Sequence, residues 1–196
     1  MADPRVPHEK NHDKKQESSD PHVLIENLLV KIQEGSDEAF IELWRIYHPK
    51  TFRYLSRFSK DAEDLNSDVW IKIASSIKSF SGNGAALQAW IFTIARNCAI
   101  DNGRKDGRRG ALVELREEDW IKSETSYTDI TDLLDRIPQS QAEVILLRVL
   151  MGFSVEEVSQ ITGKSVSSVK VLSHRGLNKL KLELEVSGYR ADRKES

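Results

Sequence analysis

Cysteine and long apolar segments are both scarce in this chain of 196 residues. The single cysteine, Cys98, excludes an internal disulfide and any cysteine-rich zinc module, and the five histidines are too scattered to predict a metal site. No apolar run approaches the roughly 20 residues of a membrane-spanning helix, and the polar first 20 residues lack the apolar segment of a secretory signal. We therefore expect a soluble, cytoplasmic protein without a metal or other cofactor.

The chain also lacks a strong excess of charge and the common catalytic motifs. Its 29 Lys and Arg residues face 31 Asp and Glu residues, and this formal net charge of -2 excludes a protein that coats nucleic acid through bulk charge. There is no glycine-rich phosphate loop, no pair of histidines on an expected helix, and no Cys or Ser in a nucleophile motif. The sequence therefore predicts neither an enzyme nor a small-molecule substrate.

The sequence does contain helical periodicity, without the sustained alternation that is typical of strands. Apolar residues recur every three or four positions from Val23 onward, and Ser36 is placed to cap the second helix. Pro49 is expected to bend or restart that helix. The apolar stripe that begins at Ala62 predicts one helix of about five turns reaching Phe80.

Composition divides the chain into two helical parts. The stretch after residue 102 mixes three glycines with basic and then acidic residues, which is typical of a solvated linker. We expect an all-α protein of two small helical domains joined by a flexible linker. The expected segments are a disordered N-terminal tail at 1–22, a first domain at 23–102, the charged linker at 103–129, a second domain at 130–186 and a polar tail at 187–196.

The second domain contains a helix-turn-helix pattern. Ser154, with Glu157 three residues later, has the spacing of a capping box. Gly163 is expected to end that short helix, and Ser165 to cap the longer helix that follows. A short helix, a glycine-containing turn and a longer helix are typical of modules that place their second helix in a DNA groove.

The last helix has one face suited to the major groove. When its apolar positions face the core, the opposite stripe combines small groups, hydrogen-bond donors and positive charge. Between residues 138 and 182, six basic residues meet three acidic ones, a local excess that the near-neutral total conceals. A plain three-helix bundle with a solvated basic face is the alternative. The inward positions are Val169, Leu172, Gly176 and Leu180, and the outward stripe is Ser167, Lys170, Val171, His174, Arg175 and Asn178.

Two surfaces of the first domain are further candidates. Basic residues follow the helix that carries Trp90 and Phe92, an arrangement suited to an unstacked single strand, although both rings also fit core positions. The helix that opens at Asp61 is acidic in its first turns, where acids stabilise the helix dipole. The repulsive pair Asp64 and Asp68 favours a basic protein partner across it.

Two blocks of sequence match a known family in order and spacing. The first block has three parts. Residues 61–65 begin at Asp61, residues 68–70 end at Trp70, and residues 90–101 begin with Trp-Ile-Phe-Thr-Ile-Ala-Arg-Asn. The second comprises 133–138, 143–148, 152–154 and 165–170. These blocks resemble regions 2 and 4 of bacterial RNA polymerase sigma factors, in particular the small extracytoplasmic-function (ECF) class. The resemblance extends over about residues 36–184, which leaves no room for the middle domain of larger sigma factors.

The resemblance implies that the protein binds core RNA polymerase through the β and β′ subunits, directs it to minus-35 and minus-10 promoter elements, and promotes initiation without catalysis or a cofactor. It places the polymerase contact on the acidic helix, at Asp61, Glu63, Asp64 and Asp68. It places minus-10 DNA on the fourth helix and the loop before it, and it places a flipped base near Asn83. The minus-10 residues are Asn83, Trp90, Arg96, Asn97, Arg104 and Lys105. It places minus-35 DNA on the last helix and its start, at Ser165, Ser167, Ser168, Lys170, Val171, His174, Arg175 and Lys179.

The chain departs from the family pattern at two points. The loop at 81–86 is about one residue longer than is common and is glycine-rich. Leu172 and Ser173 stand where many relatives carry Arg-Leu. Because of this difference, we assign Leu172 to the core and expect Lys170 and Arg175 to make more of the DNA contact.

Two other functions compete with this interpretation. A helix-turn-helix regulator that does not act through core polymerase would have no use for the acidic helix. A protein that sequesters a sigma factor would not need a basic recognition face. Many relatives are held inactive by an anti-sigma protein, and the resemblance implies such a partner here.

Overall fold

The computed structural model describes residues 21–105 and 133–186, and every regular element in these ranges is helical. The expected all-α fold is therefore confirmed. A short 3-10 turn at Ile77–Ser79 and a π-helical turn at Leu146–Leu150 extend two of the helices. The α-helices are α1 Pro21–Gln33, α2 Asp37–Leu55, α3 Ala62–Ser76, α4 Gly84–Lys105, α5 Gln139–Ile145, α6 Val155–Thr162 and α7 Val166–Val186.

The helix starts follow the capping residues expected from the sequence. The Ser36 hydroxyl accepts a hydrogen bond from the Ala39 amide at 3.2 Å and begins α2. Ser154 and Glu157 form the complete capping box of α6, since each side chain accepts a hydrogen bond from the other residue's backbone amide. Gly163 then ends α6 in the left-handed conformation, at φ +69°. These caps satisfy backbone groups that helix ends leave unpaired.

Helices α1 to α4 form the first domain around a buried apolar core. A polar cluster lies inside it, where α2 meets α3. The Thr51 hydroxyl lies 2.6 Å from Asn66 Oδ1, and it accepts a hydrogen bond from the Trp70 indole at 3.2 Å. All three side chains are buried. Backbone carbonyls of α2 complete the cluster, since Asn66 Nδ2 donates to His48 O at 3.3 Å and the Thr51 hydroxyl also lies 3.1 Å from Tyr47 O.

Two helix boundaries differ from expectation, since Pro49 does not restart the second helix and the third helix is shorter than expected. Helix α2 runs without interruption through Pro49, because Tyr47 and Thr51 on either side are buried and this packing outweighs one lost backbone hydrogen bond. The third helix ends at Ser76 rather than Phe80. After the 3-10 turn, Phe80 adopts an extended conformation and its ring packs on Trp90, with the centroids 5.1 Å apart.

The second domain consists of α5 with its π-helical turn, α6 and α7. The expected inward residues of α7 do face the core: Val169 and Gly176 are buried, and Leu172 and Leu180 are partly buried against it. Gly176 permits close packing of α7 on α5, since a Cβ atom there would lie only 2.5 Å from Ile145 Cδ1. Helices α6 and α7 form the expected helix-turn-helix.

The two domains pack directly on each other, mainly through α4 and α6. The rings of Phe92 in α4 and Phe153, just before α6, meet edge to face with centroids 4.9 Å apart. Arg57 and Asp135 form an ion pair across the same junction. The segment that joins the domains, 106–132, lies outside the described residues together with most of the predicted linker, and the predicted tails at 1–22 and 187–196 also lie there, apart from the start of α1.

Candidate polymerase and nucleic-acid interfaces

The acidic surface consists of Asp61, Glu63, Asp64 and Asp68, at the start of α3. All four residues are exposed. Asp61 occupies the N-cap position, but its side chain makes no capping hydrogen bond. Within the described ranges none of the four carboxylates forms an ion pair, so their negative charge faces solvent. This geometry suits a basic surface on another protein.

The loop before α4 places Asn83 at the helix start. Its side-chain Oδ1 accepts a hydrogen bond from the Ala86 amide at 2.9 Å, so the residue predicted to lie near a flipped base caps the helix here. Asn83 is exposed, while Trp90 two turns later is only partly exposed and packs on Phe80. A base could therefore approach the exposed Asn83 side chain more readily than the partly covered Trp90 ring.

Arg96 is engaged by the second domain. Its Nε donates to Glu143 Oε1 at 2.9 Å, and the Arg96 side chain is only 11% exposed. The Tyr54 hydroxyl donates to the same Glu143 oxygen at 3.0 Å. Burial, reinforced by the Glu143 charge, raises the pKa of Tyr54 well above its usual value, so the phenol keeps its proton. Asn97 is exposed.

Arg104 and Lys105 form the last turn of α4. The structure therefore places the predicted minus-10 residues along one helix and its preceding loop.

Sequence analysis did not single out Glu143 or Tyr54, which join the domains. Glu143 counts there as one of three acids in a basic stretch and as the first residue of a matched block, without a role at a domain contact. One signal was available: Glu143 lies between Ala142 and Val144 in an otherwise apolar segment, and a charge at a core position predicts a buried partner.

The recognition face lies on α7. Ser165 caps this helix, since its hydroxyl accepts a hydrogen bond from the Ser168 amide at 3.2 Å. His174 Nε2 and Asn178 Nδ2 lie 3.0 Å apart. Nearly all predicted minus-35 residues are exposed, and Lys179 is partly exposed; the exposed ones are Ser165, Ser167, Ser168, Lys170, Val171, His174 and Arg175. The outward stripe expected from the sequence thus faces solvent, opposite the buried Val169 and Gly176.

The described residues include neither a membrane-spanning helix nor a metal-binding group. None of the helices described is long and apolar enough to cross a bilayer. The same parts of the chain contain no group of three or more His, Cys, Asp or Glu residues arranged to hold a metal ion.

Two family models match this chain. Residues 43–109 match the family described as Sigma-70 region 2, and residues 127–180 match Sigma-70, region 4. The ECF RNA polymerase sigma factor EcfG of Rhodopseudomonas palustris is 31% identical over 140 residues, which cover 68% of this chain and 77% of EcfG. The match to BldN of Streptomyces coelicolor, another ECF sigma factor, is 29% identical over 166 residues and covers 78% of this chain. It spans 63% of BldN, less than two thirds of that protein.

A solved structure shows the same architecture. The sigma factor RpoE of Bartonella quintana, in complex with the anti-sigma factor NepR, has a TM-score of 0.60 and 26% identity, and the match covers 79% of this chain and 98% of that chain. Together these similarities assign the chain to the sigma-70 family. Within that family it belongs to the ECF class of RNA polymerase sigma factors, as the sequence motifs implied.

Proposed function

We propose that this chain binds core RNA polymerase through the acidic surface of α3 and directs it to promoters through α4 and α7. The observation that carries the proposal is the joint presence of two exposed surfaces of different chemistry. One is the carboxylate face of the first domain, and the other is the polar and basic face of a helix-turn-helix in the second. A protein that only bound DNA would need the second surface alone.

Each surface has a separate role in this proposal. The acidic surface docks on the clamp of the β′ subunit, where basic residues would complement it. The exposed stripe of α7 enters the major groove of the minus-35 element, where Lys170 and Arg175 contact phosphates or base edges. The α4 helix and the Asn83 loop hold the opened minus-10 strand.

The chain has no catalytic role of its own in this proposal. The polymerase forms the phosphodiester bonds, and the sigma factor supplies position and strand capture without a cofactor. It would act in the cytoplasm, where polymerase and DNA meet. An anti-sigma protein is a further proposed partner, by analogy with the Bartonella quintana complex.

Run-off transcription with purified core polymerase and a promoter library tests the proposal. We expect the full-length chain to produce transcripts of defined length from a subset of templates, and core enzyme alone to produce none of them. If core enzyme with the chain never starts RNA at a defined position on any template, the proposed function is wrong. Binding of the chain to a specific duplex without capture of core polymerase would instead favour the alternative, a helix-turn-helix regulator.

A further inference from the structure

The exposed face of α7 consists of a central line of side chains with one cation on each side. The line recurs every three or four residues, opposite the buried Val169, and its members are Ser167, Val171, His174 and Asn178. Each residue of an α-helix turns the chain by about 100°, so Lys170 and Arg175 lie about 70° to either side of the line. Both cations are exposed. The central line and its two flanks therefore meet different parts of any groove that α7 enters.

The major groove of duplex DNA matches this arrangement. Its width of about 12 Å admits one α-helix, whose diameter with side chains is about 10–12 Å. The central line then faces the base edges on the floor of the groove, and the flanking cations face the phosphates of the two strands. Recognition helices contact bases with residues near their N-terminus. Val171 lies in the second turn of α7, so it is placed to meet a base pair.

Val171 is the apolar member of the central line. It is 46% exposed, whereas its polar neighbours in the line have partners. The Ser167 hydroxyl lies 3.0 Å from the Ser165 hydroxyl. His174 Nε2 lies 3.0 Å from Asn178 Nδ2. A β-branched side chain in a helix strongly prefers one rotamer, so Val171 presents its methyl groups in a fixed direction.

Thymine is the base that places a methyl group in the major groove, and the other base edges offer hydrogen-bond donors and acceptors there. Against a polar edge, Val171 would remove water without replacing the lost hydrogen bonds, which is costly. Against a thymine it would instead bury apolar surface on both sides of the contact. We propose that Val171 recognises a thymine methyl group in the minus-35 element, while Lys170 and Arg175 bind the flanking phosphates. This inference rests on the proposed function and names a base that the same site selects.

Replacement of thymine by uracil tests the inference, because it removes that methyl group alone. The template is a promoter that the full chain and core polymerase transcribe in the run-off assay. Each thymine of its minus-35 element, on either strand, is replaced in turn, and competition binding of the assembled holoenzyme measures the effect. We expect one replacement to weaken binding about fourfold, the contribution of one buried methyl group, and the others to change it less.

Val171→Ala completes a double-mutant cycle with the uracil template. The variant lacks the apolar contact, so it should bind the thymine template about fourfold more weakly than the parent and show no further loss with uracil at that position. The matched control Val149→Ala shortens an exposed valine of the second domain outside α7 and should keep the parent's uracil penalty. An equal penalty in the parent and Val171→Ala would overturn the inference. So would a minus-35 element in which no thymine matters.

Run-off transcription distinguishes failure of this inference from failure of the proposed function. Transcripts of defined length from a template whose uracil penalty does not depend on Val171 would overturn the inference and leave the proposed function standing. If the chain and core polymerase start RNA at a defined position on no template, both are wrong.

Discussion

Gly176 of α7 lies directly against Ile145 of α5, so close that a Cβ at position 176 would be 2.5 Å from Ile145 Cδ1 and 3.1 Å from Gln141 Cβ. Gly176→Ala therefore requires the buried Ile145 side chain to repack or α7 to move away from α5. We expect it to lower the free energy of unfolding of the second domain by about 1–3 kcal/mol, the usual cost of overpacking. Thermal and urea unfolding followed by circular dichroism measures this. Leu177→Ala, on the exposed side of the same helix, is the control and should change stability less.

The polar cluster of Thr51, Asn66 and Trp70 predicts a second stability effect. Thr51→Val keeps the side-chain shape but leaves Asn66 Oδ1 and the Trp70 indole N–H buried without their partner. We expect a loss of about 1–3 kcal/mol in urea unfolding followed by tryptophan fluorescence. Thr51→Ser retains the hydroxyl, so an equal loss in that variant would assign the effect to packing rather than to hydrogen bonding.

Tyr47 predicts a pH dependence at the alkaline end. Burial, with a smaller contribution from the Glu157 charge, raises its pKa from 10.0 to about 12. The folded chain therefore retains the phenolic proton where the unfolded chain loses it. This contribution to stability is complete below pH 10 and decreases as the pH rises toward 12.

Urea unfolding of the parent and Tyr47→Phe over this pH range measures the effect. The variant should show a shallower loss of stability, by up to about 1.4 kcal/mol per pH unit. Identical pH profiles for the two proteins would contradict a raised pKa at Tyr47.

The recognition face predicts a selective loss of DNA binding. Lys170→Glu combined with Arg175→Glu replaces two exposed cations with acids, and neither side chain supports the core. We expect minus-35 duplex binding to fall by at least about a hundredfold, since two phosphate or base contacts become repulsive, while capture of core polymerase persists. Electrophoretic mobility shift and pull-down assays separate the two properties. Lys31→Glu with Arg45→Glu provides the same charge change on exposed residues of the first domain.

The acidic surface predicts the converse. Asp64→Arg should weaken capture of core polymerase about tenfold or more without loss of helix content, because an exposed charge contributes little to folding but reverses the field at a docking surface. Competition pull-down against the parent chain measures the change. The control Glu26→Arg makes an equivalent charge change at an exposed residue of α1 and should compete normally for core polymerase. Unchanged capture by Asp64→Arg would remove the acidic surface from the proposal.

Sequence reasoning succeeded where local chemistry decides the structure. Ser36, Ser154 and Gly163 begin or end helices where their side chains or backbone freedom predict, and Val169 and Gly176 face the core as the spacing requires. It left open whether the helix bends or restarts at Pro49, and the helix does not restart, because the packing of the residues beside Pro49 decides whether it continues. Local rules do not contain that information.

The contact of the two domains was also beyond sequence reasoning. Glu143 and Arg96 are 47 positions apart, and the distance between their atoms depends on how two separately folded units dock. A charge within an apolar stripe signals that a partner exists, but periodicity does not identify it. The proposed polymerase and DNA surfaces came from the resemblance to a family, and the structure adds which of their side chains are exposed.

The π-helical turn at Leu146–Leu150 has a consequence for the geometry of DNA docking. It accommodates one residue more than a regular α-helical turn, and the amides of Met151 and Phe153 bond back to the carbonyls of Leu146 and Leu147. Each residue of an α-helix contributes about 100° of rotation and 1.5 Å of rise. Deleting one residue here would therefore rotate and shift α6 and α7 together. The angle at which α7 meets a groove then depends on the number of residues in this turn more than on which side chains α7 exposes.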